Sequence, residues 1–292
     1  MRADDPDVHP PYTSEYCDRE YNARAAVPDA LRILASWAER GATTRRQRAA
    51  LLDLPYGESA AERLDLFPTP REGSPLLVYI HGGYWRALDK SDFSWIAPSF
   101  VDHGVAVAVP NYGLAPATRI EEIVRQMLRA VAWLYRKADD LGFDPQRIYV
   151  AGHSAGGHLT AMMMAAIWPR YAEDLPENLI KGALAVSGLF DLEPLMHAPF
   201  LNVDLHLDLE RVSALSPARM LPATRAPVYT AVGGDESSEF KRQSALLAKR
   251  WPSNVVREVP MAGFNHLTVS EELANPASPL FDAALELIHK TS

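Results

Sequence analysis

Six short, mainly apolar runs, at 76–80, 105–109, 148–151, 183–186, 228–232 and 255–259, limit most strongly what this 292-residue chain can fold into. Stretches of helical periodicity separate them. Strands of a parallel sheet read this way, because crossover helices cover both faces and leave none to water. Regular alternation of such runs with helices marks βαβ units. The expectation is an α/β protein with a mostly parallel central sheet and helices on both faces.

The flanking patterns agree. Ile120, Ile123, Val124, Met127, Leu128, Val131 and Leu134 recur at i, i+3, i+4 and i+7, giving one apolar helical stripe that Gly142 stops. Ser278 and Pro279 suit an N-cap and first helical position for a closing helix that buries Leu280, Phe281, Ala284, Leu285 and Ile288. Before the first apolar run, Leu64 and Leu66 alternate with Asp65 in a strand-like piece. Residues 1–50 read as a helical cover carrying Leu31, Ile33, Leu34 and Trp37, and Arg45, Arg46 and Arg48 read as a solvated helix face. A segment at 194–222, rich in Pro, Leu and His, reads as a cap inserted near the active site. With 48% apolar and 23% charged residues, one domain over 1–292 is expected, since α/β units commonly exceed 250 residues.

The chemistry gathers at the carboxyl ends of the predicted strands, where ligands of open α/β sheets collect. Gly152-His153-Ser154-Ala155-Gly156 follows the third apolar run and precedes a helical pattern. A nucleophile on a sharp strand-to-helix turn needs glycine at minus two and plus two, because side chains there would strike the adjoining strand and helix. His81-Gly82-Gly83-Tyr84-Trp85 follows the first run. Its glycines can turn backbone N–H groups toward a developing oxyanion, which makes Gly82, Gly83 and Ala155 the expected donors. His81 reads as a residue shaping that loop.

Asp235 follows the fifth run and His266 the sixth, giving the chain order Ser, acid, His. Asp235 is the preferred acid, with Asp191, Glu236 and Glu239 as alternatives. The expected roles are attack by Ser154, proton transfer through His266, and an acid that fixes the imidazole tautomer. Tyr84, Trp85, Phe190 and Phe264 are the candidate walls of a pocket for an aryl substrate. His153 reads as held at the elbow and His158 as packed in the helix.

Composition excludes several other functions. The net charge of −8 and the lack of a basic stripe leave no surface suited to nucleic acid. Cys17 is the sole cysteine, so neither an internal disulfide nor a zinc–thiolate site is expected. Histidines lack metal-ligand spacing, and neither cofactor nor metal is needed for the chemistry. The polar, acidic N-terminal residues lack the apolar core of a secretory signal, and no 18-residue apolar run occurs. Cytoplasmic residence, a small-molecule substrate and no membrane partner are expected, and a homodimer is compatible with the sequence.

The motifs HGGYW (81–85), GHSAGGHL (152–159), SGLFDLEPL (187–195) and EFKRQS (239–244), with EYCDREYNAR (15–24), resemble the serine-dependent kynurenine formamidase, or arylformamidase, group of α/β-hydrolases. Related esterases usually carry HGGG and GDSAGG; here Tyr84-Trp85 and His153 stand in those motifs. The resemblance implies a cofactor-free hydrolysis of N-formyl-kynurenine to formate and kynurenine, with Ser154, Asp235 and His266 as triad and Gly82, Gly83 and Ala155 as oxyanion donors. A broad carboxylesterase acting on short acyl esters is the alternative.

Overall fold

The computed structural model describes residues 5–290. Eight strands form one sheet: β1 (Leu51–Pro55), β2 (Arg63–Phe67), β3 (Ser74–Ile80), β4 (Ala106–Pro110), β5 (Phe143–His153), β6 (Ile180–Val186), β7 (Val228–Gly233) and β8 (Val255–Met261), in the order β1-β2-β4-β3-β5-β6-β7-β8. Only β2 breaks the parallel arrangement, pairing antiparallel with β1 and β4. All six apolar runs are strands of the parallel part, β3 to β8.

Side chains of a strand alternate between faces, and here both faces are apolar. Leu76, Val78 and Ile80 of β3 join one core, while Leu77 and Tyr79 join the other. In β5, Ile148 and Val150 share the first core and Tyr149 and Ala151 the second. The first core is covered by the helices Ile120–Leu141 and Ala155–Ala165, and the second by Ala30–Gln47, Ala97–Asp102 and Pro279–Lys290. Ile120–Leu141 ends at Gly142, which takes φ of 82° and donates its N–H to the Ala138 carbonyl at 2.8 Å. The closing helix starts at Pro279, with Ser278 Oγ accepting from the Leu280 N–H at 3.1 Å.

Two segments surround the carboxyl edge of the sheet. The N-terminal helices Ser14–Tyr21, Ala23–Ala26 and Ala30–Gln47 precede β1, and between β6 and β7 lie the helices Glu193–Met196, Pro199–Leu205 and Leu209–Leu215. Arg45 differs from the solvated-face reading. Asp65, in β2, is wholly buried and lies 2.6 Å from Lys90 Nζ and 3.3 Å from Arg45 Nε. Two cations compensate the buried carboxylate, so the alternation at 64–66 does not turn Asp65 to water. Arg48 pairs with Asp102 at 2.7 Å on the surface. Among the described residues no helix is long and apolar enough to cross a membrane.

Candidate active site

β5 runs directly into a sharp turn at Ser154, whose φ of 59° and ψ of −120° place a non-glycine residue in a costly region of backbone space. The turn is locked by the Ser154 N–H, which donates to the Val186 carbonyl of β6 at 2.9 Å. The helix Ala155–Ala165 begins at the next residue. Glycine at 156 is a steric requirement: a Cβ there would stand 1.9 Å from the Ile80 carbonyl oxygen of β3.

His266, in the turn after β8, reaches back across the edge of the sheet. Ser154 Oγ lies 3.1 Å from His266 Nε2, and His266 Nδ1 lies 2.6 Å from Glu236 Oε2. A carboxylate can only accept, so Nδ1 carries the proton and Nε2 is left to accept from the serine hydroxyl. The ring is held between Phe240, at 4.2 Å between centroids, and His153, at 4.6 Å. An imidazole so placed can take a proton from the hydroxyl while the acid stabilises the resulting cation.

The acid facing His266 is therefore Glu236, and the preference for Asp235 is corrected. The chain after β7 makes a tight turn in which the Glu236 N–H donates to the Gly233 carbonyl at 3.1 Å. Asp235 sits at the outside of this turn, exposed, with its own N–H donating to the Phe264 carbonyl at 3.0 Å. Glu236 points inward, where Oε1 accepts from the Gly233 N–H at 2.7 Å and from Ser187 Oγ at 2.5 Å. Those two donors hold the carboxylate so that Oε2 alone faces the imidazole. Ser187, just beyond β6 with φ of 48°, has no sequence signal that marks it. The alternative acids are engaged elsewhere: Asp191 pairs with Arg219 at 3.0 Å, and Glu239 accepts from the Tyr16 and Tyr21 hydroxyls at 3.0 and 2.7 Å.

The loop after β3 comes up against the serine. A Cβ on Gly82 would lie 3.2 Å from Ser154 Cβ, and Gly83 takes φ of 106°, a conformation that favours glycine. Neither the Gly82 nor the Gly83 N–H enters a backbone hydrogen bond among the described residues, and Ala155 is the first residue of its helix, where the N–H has no intrahelical acceptor. His81 anchors the loop from behind: its ring contacts the Gly82 carbonyl at 2.8 Å and Asn111 Oδ1 at 3.1 Å, and stacks on Tyr112 at 4.2 Å.

A cavity of about 200 Å³ opens over Ser154 and His266. Of the four expected wall residues, only Tyr84 lines it. Trp85 is fully buried behind the loop, edge-on to His158 at 4.9 Å. Phe190 is fully buried against Gly188, and Phe264 is half-buried in the turn whose carbonyl holds Asp235. The other aromatic walls are Trp37, Phe93 and Phe200, the first from the N-terminal segment and the last from the segment between β6 and β7. Among the described residues no group of three or more His, Cys, Asp or Glu side chains is placed to hold a metal ion.

Two buried imidazoles beside the site are neutral. Burial pushes His158 down to about 4, partly offset by the Leu215 carbonyl that its Nε2 approaches at 2.7 Å. Burial, and next the neighbouring His266, hold His153 well below the ordinary histidine range. These folded values lie below the unfolded value of about 6.5, so below that pH the unfolded chain binds protons the folded one refuses. Stability is full above pH 6.5 and falls with acidification at about 1.4 kcal/mol per pH unit per imidazole. Thermal unfolding at pH 7.5 and 5.0 is expected to show a clear drop in Tm at the lower pH. His158→Gln, which keeps a donor toward Leu215, should recover part of that drop; an unchanged pH dependence in this variant would refute the assignment.

The sheet order, the elbow after β5 and the serine–histidine–acid line across its edge define an α/β-hydrolase of the serine type, and the comparisons place the chain within that class. It is 30% identical over 290 residues to the kynurenine formamidase of Danio rerio, covering 95% of each chain, and 25% identical over 292 residues to that of Drosophila melanogaster, covering 92% of each. The chain belongs to the kynurenine formamidase family and is a hydrolase. Residues 64–179 match the BD-FAE family model. A solved structure of a putative thioesterase from Silicibacter sp. TM1040 is similar at a TM-score of 0.82 with 34% identity, covering 91% of this chain and 97% of that one. Esterase B from Lactobacillus rhamnosis shares the fold at a TM-score of 0.67 and 19% identity, covering 92% of this chain and 95% of that one.

Proposed function

We propose that the protein hydrolyses the formamide of a small aryl amine, N-formyl-kynurenine or a close analogue, through a formyl-enzyme on Ser154. The observation that carries this reading is the His266 imidazole held between Ser154 Oγ and Glu236 Oε2 at the floor of a small cavity with aromatic walls. Similarity to two kynurenine formamidases across nearly the whole chain supports the substrate class.

Ser154 Oγ attacks the formyl carbon as its proton passes to His266 Nε2. The carbonyl oxygen becomes an oxyanion that the N–H groups of Gly82, Gly83 and Ala155 receive, each donor aligned before the charge develops. His266 returns the proton to the amine nitrogen, and the aryl amine leaves. Water, deprotonated by the same imidazole, then attacks the formyl-enzyme and releases formate. Glu236 accepts from the imidazole and stabilises the imidazolium formed in each half-reaction. Three donors hold its carboxylate in place: Ser187, the Gly233 N–H and His266.

The test is formate release from N-formyl-kynurenine and simple formanilides beside p-nitrophenyl acetate hydrolysis. The expected result is a kcat/KM for N-formyl-kynurenine well above that for the ester. A higher kcat/KM for the ester, with slow or absent formate release, would replace this reading with a carboxylesterase.

A further inference from the structure

The charges around the cavity are unevenly distributed. No carboxylate lines it, although the chain as a whole carries −8. Two arginines do, Arg24 and Arg86. Arg86 is already engaged: its Nη1 donates to Asp204 Oδ2 and to the Phe200 carbonyl, both at 2.6 Å. Arg24 forms no ion pair among the described residues. The acids nearest to it in the chain are committed elsewhere, Glu20 to Arg19 and Ser238, and Asp29 to Arg32.

Arg24 is also held in place by its backbone. It belongs to the short helix Ala23–Ala26, which follows directly on Tyr21. The Tyr84 hydroxyl, from the loop that carries Gly82 and Gly83, donates to the Tyr21 carbonyl at 2.6 Å. The Tyr21 hydroxyl donates to Glu239 Oε2 at 2.7 Å and accepts from Gln243 at 2.9 Å. Glu239 and Gln243 share the helix of Phe240, which packs on His266. The segment bearing Arg24 is thus fixed to both the oxyanion loop and the imidazole support, and this places Arg24, exposed to solvent, at the rim of the cavity that holds Ser154.

The geometry points to Arg24 as a specificity residue that binds the carboxylate of a substrate bearing an anionic group on the amine side of the scissile bond. An unpaired arginine at the rim of a cavity without acids is matched by a carboxylate, which its guanidinium can grip through two parallel N–H donors. An uncharged formanilide leaves it facing water. This assignment rests on the formamide reading above, whose substrate carries such a carboxylate, and names the residue that receives it.

The test compares wild type, Arg24→Gln and Arg24→Lys on N-formyl-kynurenine and on N-(2-acetylphenyl)formamide, which has the aryl formamide but no carboxylate. Loss of a charge-assisted contact predicts that Arg24→Gln lowers kcat/KM for N-formyl-kynurenine by about 10- to 100-fold, mainly through KM. The preference over the uncharged formamide should collapse by the same factor, and Arg24→Lys should restore part of it. Equal losses on both substrates, or no loss on either, would overturn the assignment. If the wild-type enzyme cleaves neither formamide but does cleave esters, the formamide reading fails by itself. The same three proteins on 3-carboxyphenyl acetate and phenyl acetate then decide Arg24: a selective loss on the charged ester upholds it, and a parallel loss or none refutes it.

Discussion

Ser154→Ala is expected to yield a folded protein whose kcat is down by about 10³-fold or more. The serine sits at a strained turn, with φ of 59°, and its backbone N–H rather than its hydroxyl ties the elbow to β6. Removing the hydroxyl therefore deletes the nucleophile and leaves the turn's hydrogen bond in place. Tm should change little, because alanine fits wherever serine does in this elbow. A residual rate above the uncatalysed one is also expected, since the oxyanion donors and the cavity are untouched. Steady-state formate release, with Tm measured in parallel, checks both halves. Near-normal turnover in the purified variant would remove Ser154 from the mechanism.

The second large effect separates two adjacent acids. Glu236→Ala is expected to lower kcat by about 10³- to 10⁴-fold, the scale seen when the acid of such a triad is lost. Deleting this carboxylate frees the imidazole to adopt the wrong tautomer and removes the charge that stabilises its protonated form. It also strands the Ser187 hydroxyl and the Gly233 N–H, which both donate to Glu236 Oε1, so some loss of stability should accompany it. Asp235→Ala removes an exposed side chain from the outside of the turn and should keep activity within about twofold, as surface changes away from such features usually do. Loss of activity in Asp235→Ala with Glu236→Ala unaffected would invert the assignment.

The offset between these residues shows where sequence stops being informative. Composition and chain order require an acid after β7, and both Asp235 and Glu236 satisfy that. Which one faces His266 depends on the hydrogen bond from the Glu236 N–H to the Gly233 carbonyl, and so on the register of a four-residue turn. Glycine at 233 and 234 permits several such turns, so nothing local fixes the register. Ser187 is hidden for a similar reason, since a lone serine after a strand carries no mark of the carboxylate it meets 49 residues later.

The sheet was legible because burial on both faces leaves a direct trace: mainly apolar runs at β3 to β8, separated by helices with one apolar stripe. The elbow was legible because steric crowding at Gly156 dictates a residue type. Pocket walls leave no comparable trace. Hydrophobicity states that Trp85 and Phe190 are buried but not whether they face a cavity or a core, and both face the core. The actual walls Trp37, Phe93 and Phe200 come from three separate segments that only tertiary packing brings together. The alternation at 64–66 likewise carries no mark of the burial of Asp65, whose cations Lys90 and Arg45 arrive from distant elements.

The central claim is that Ser154 is activated by His266, which Glu236 orients. Reaction with a fluorophosphonate, followed by intact mass and peptide mapping, tests it most directly, because the reagent reports activation of the serine whatever the natural substrate. The predicted result is one adduct per chain, on Ser154, formed rapidly in wild type and in Asp235→Ala and at least a hundredfold more slowly in Glu236→Ala. An adduct on another residue, or labelling of Ser154 that is unchanged in Glu236→Ala, would contradict it.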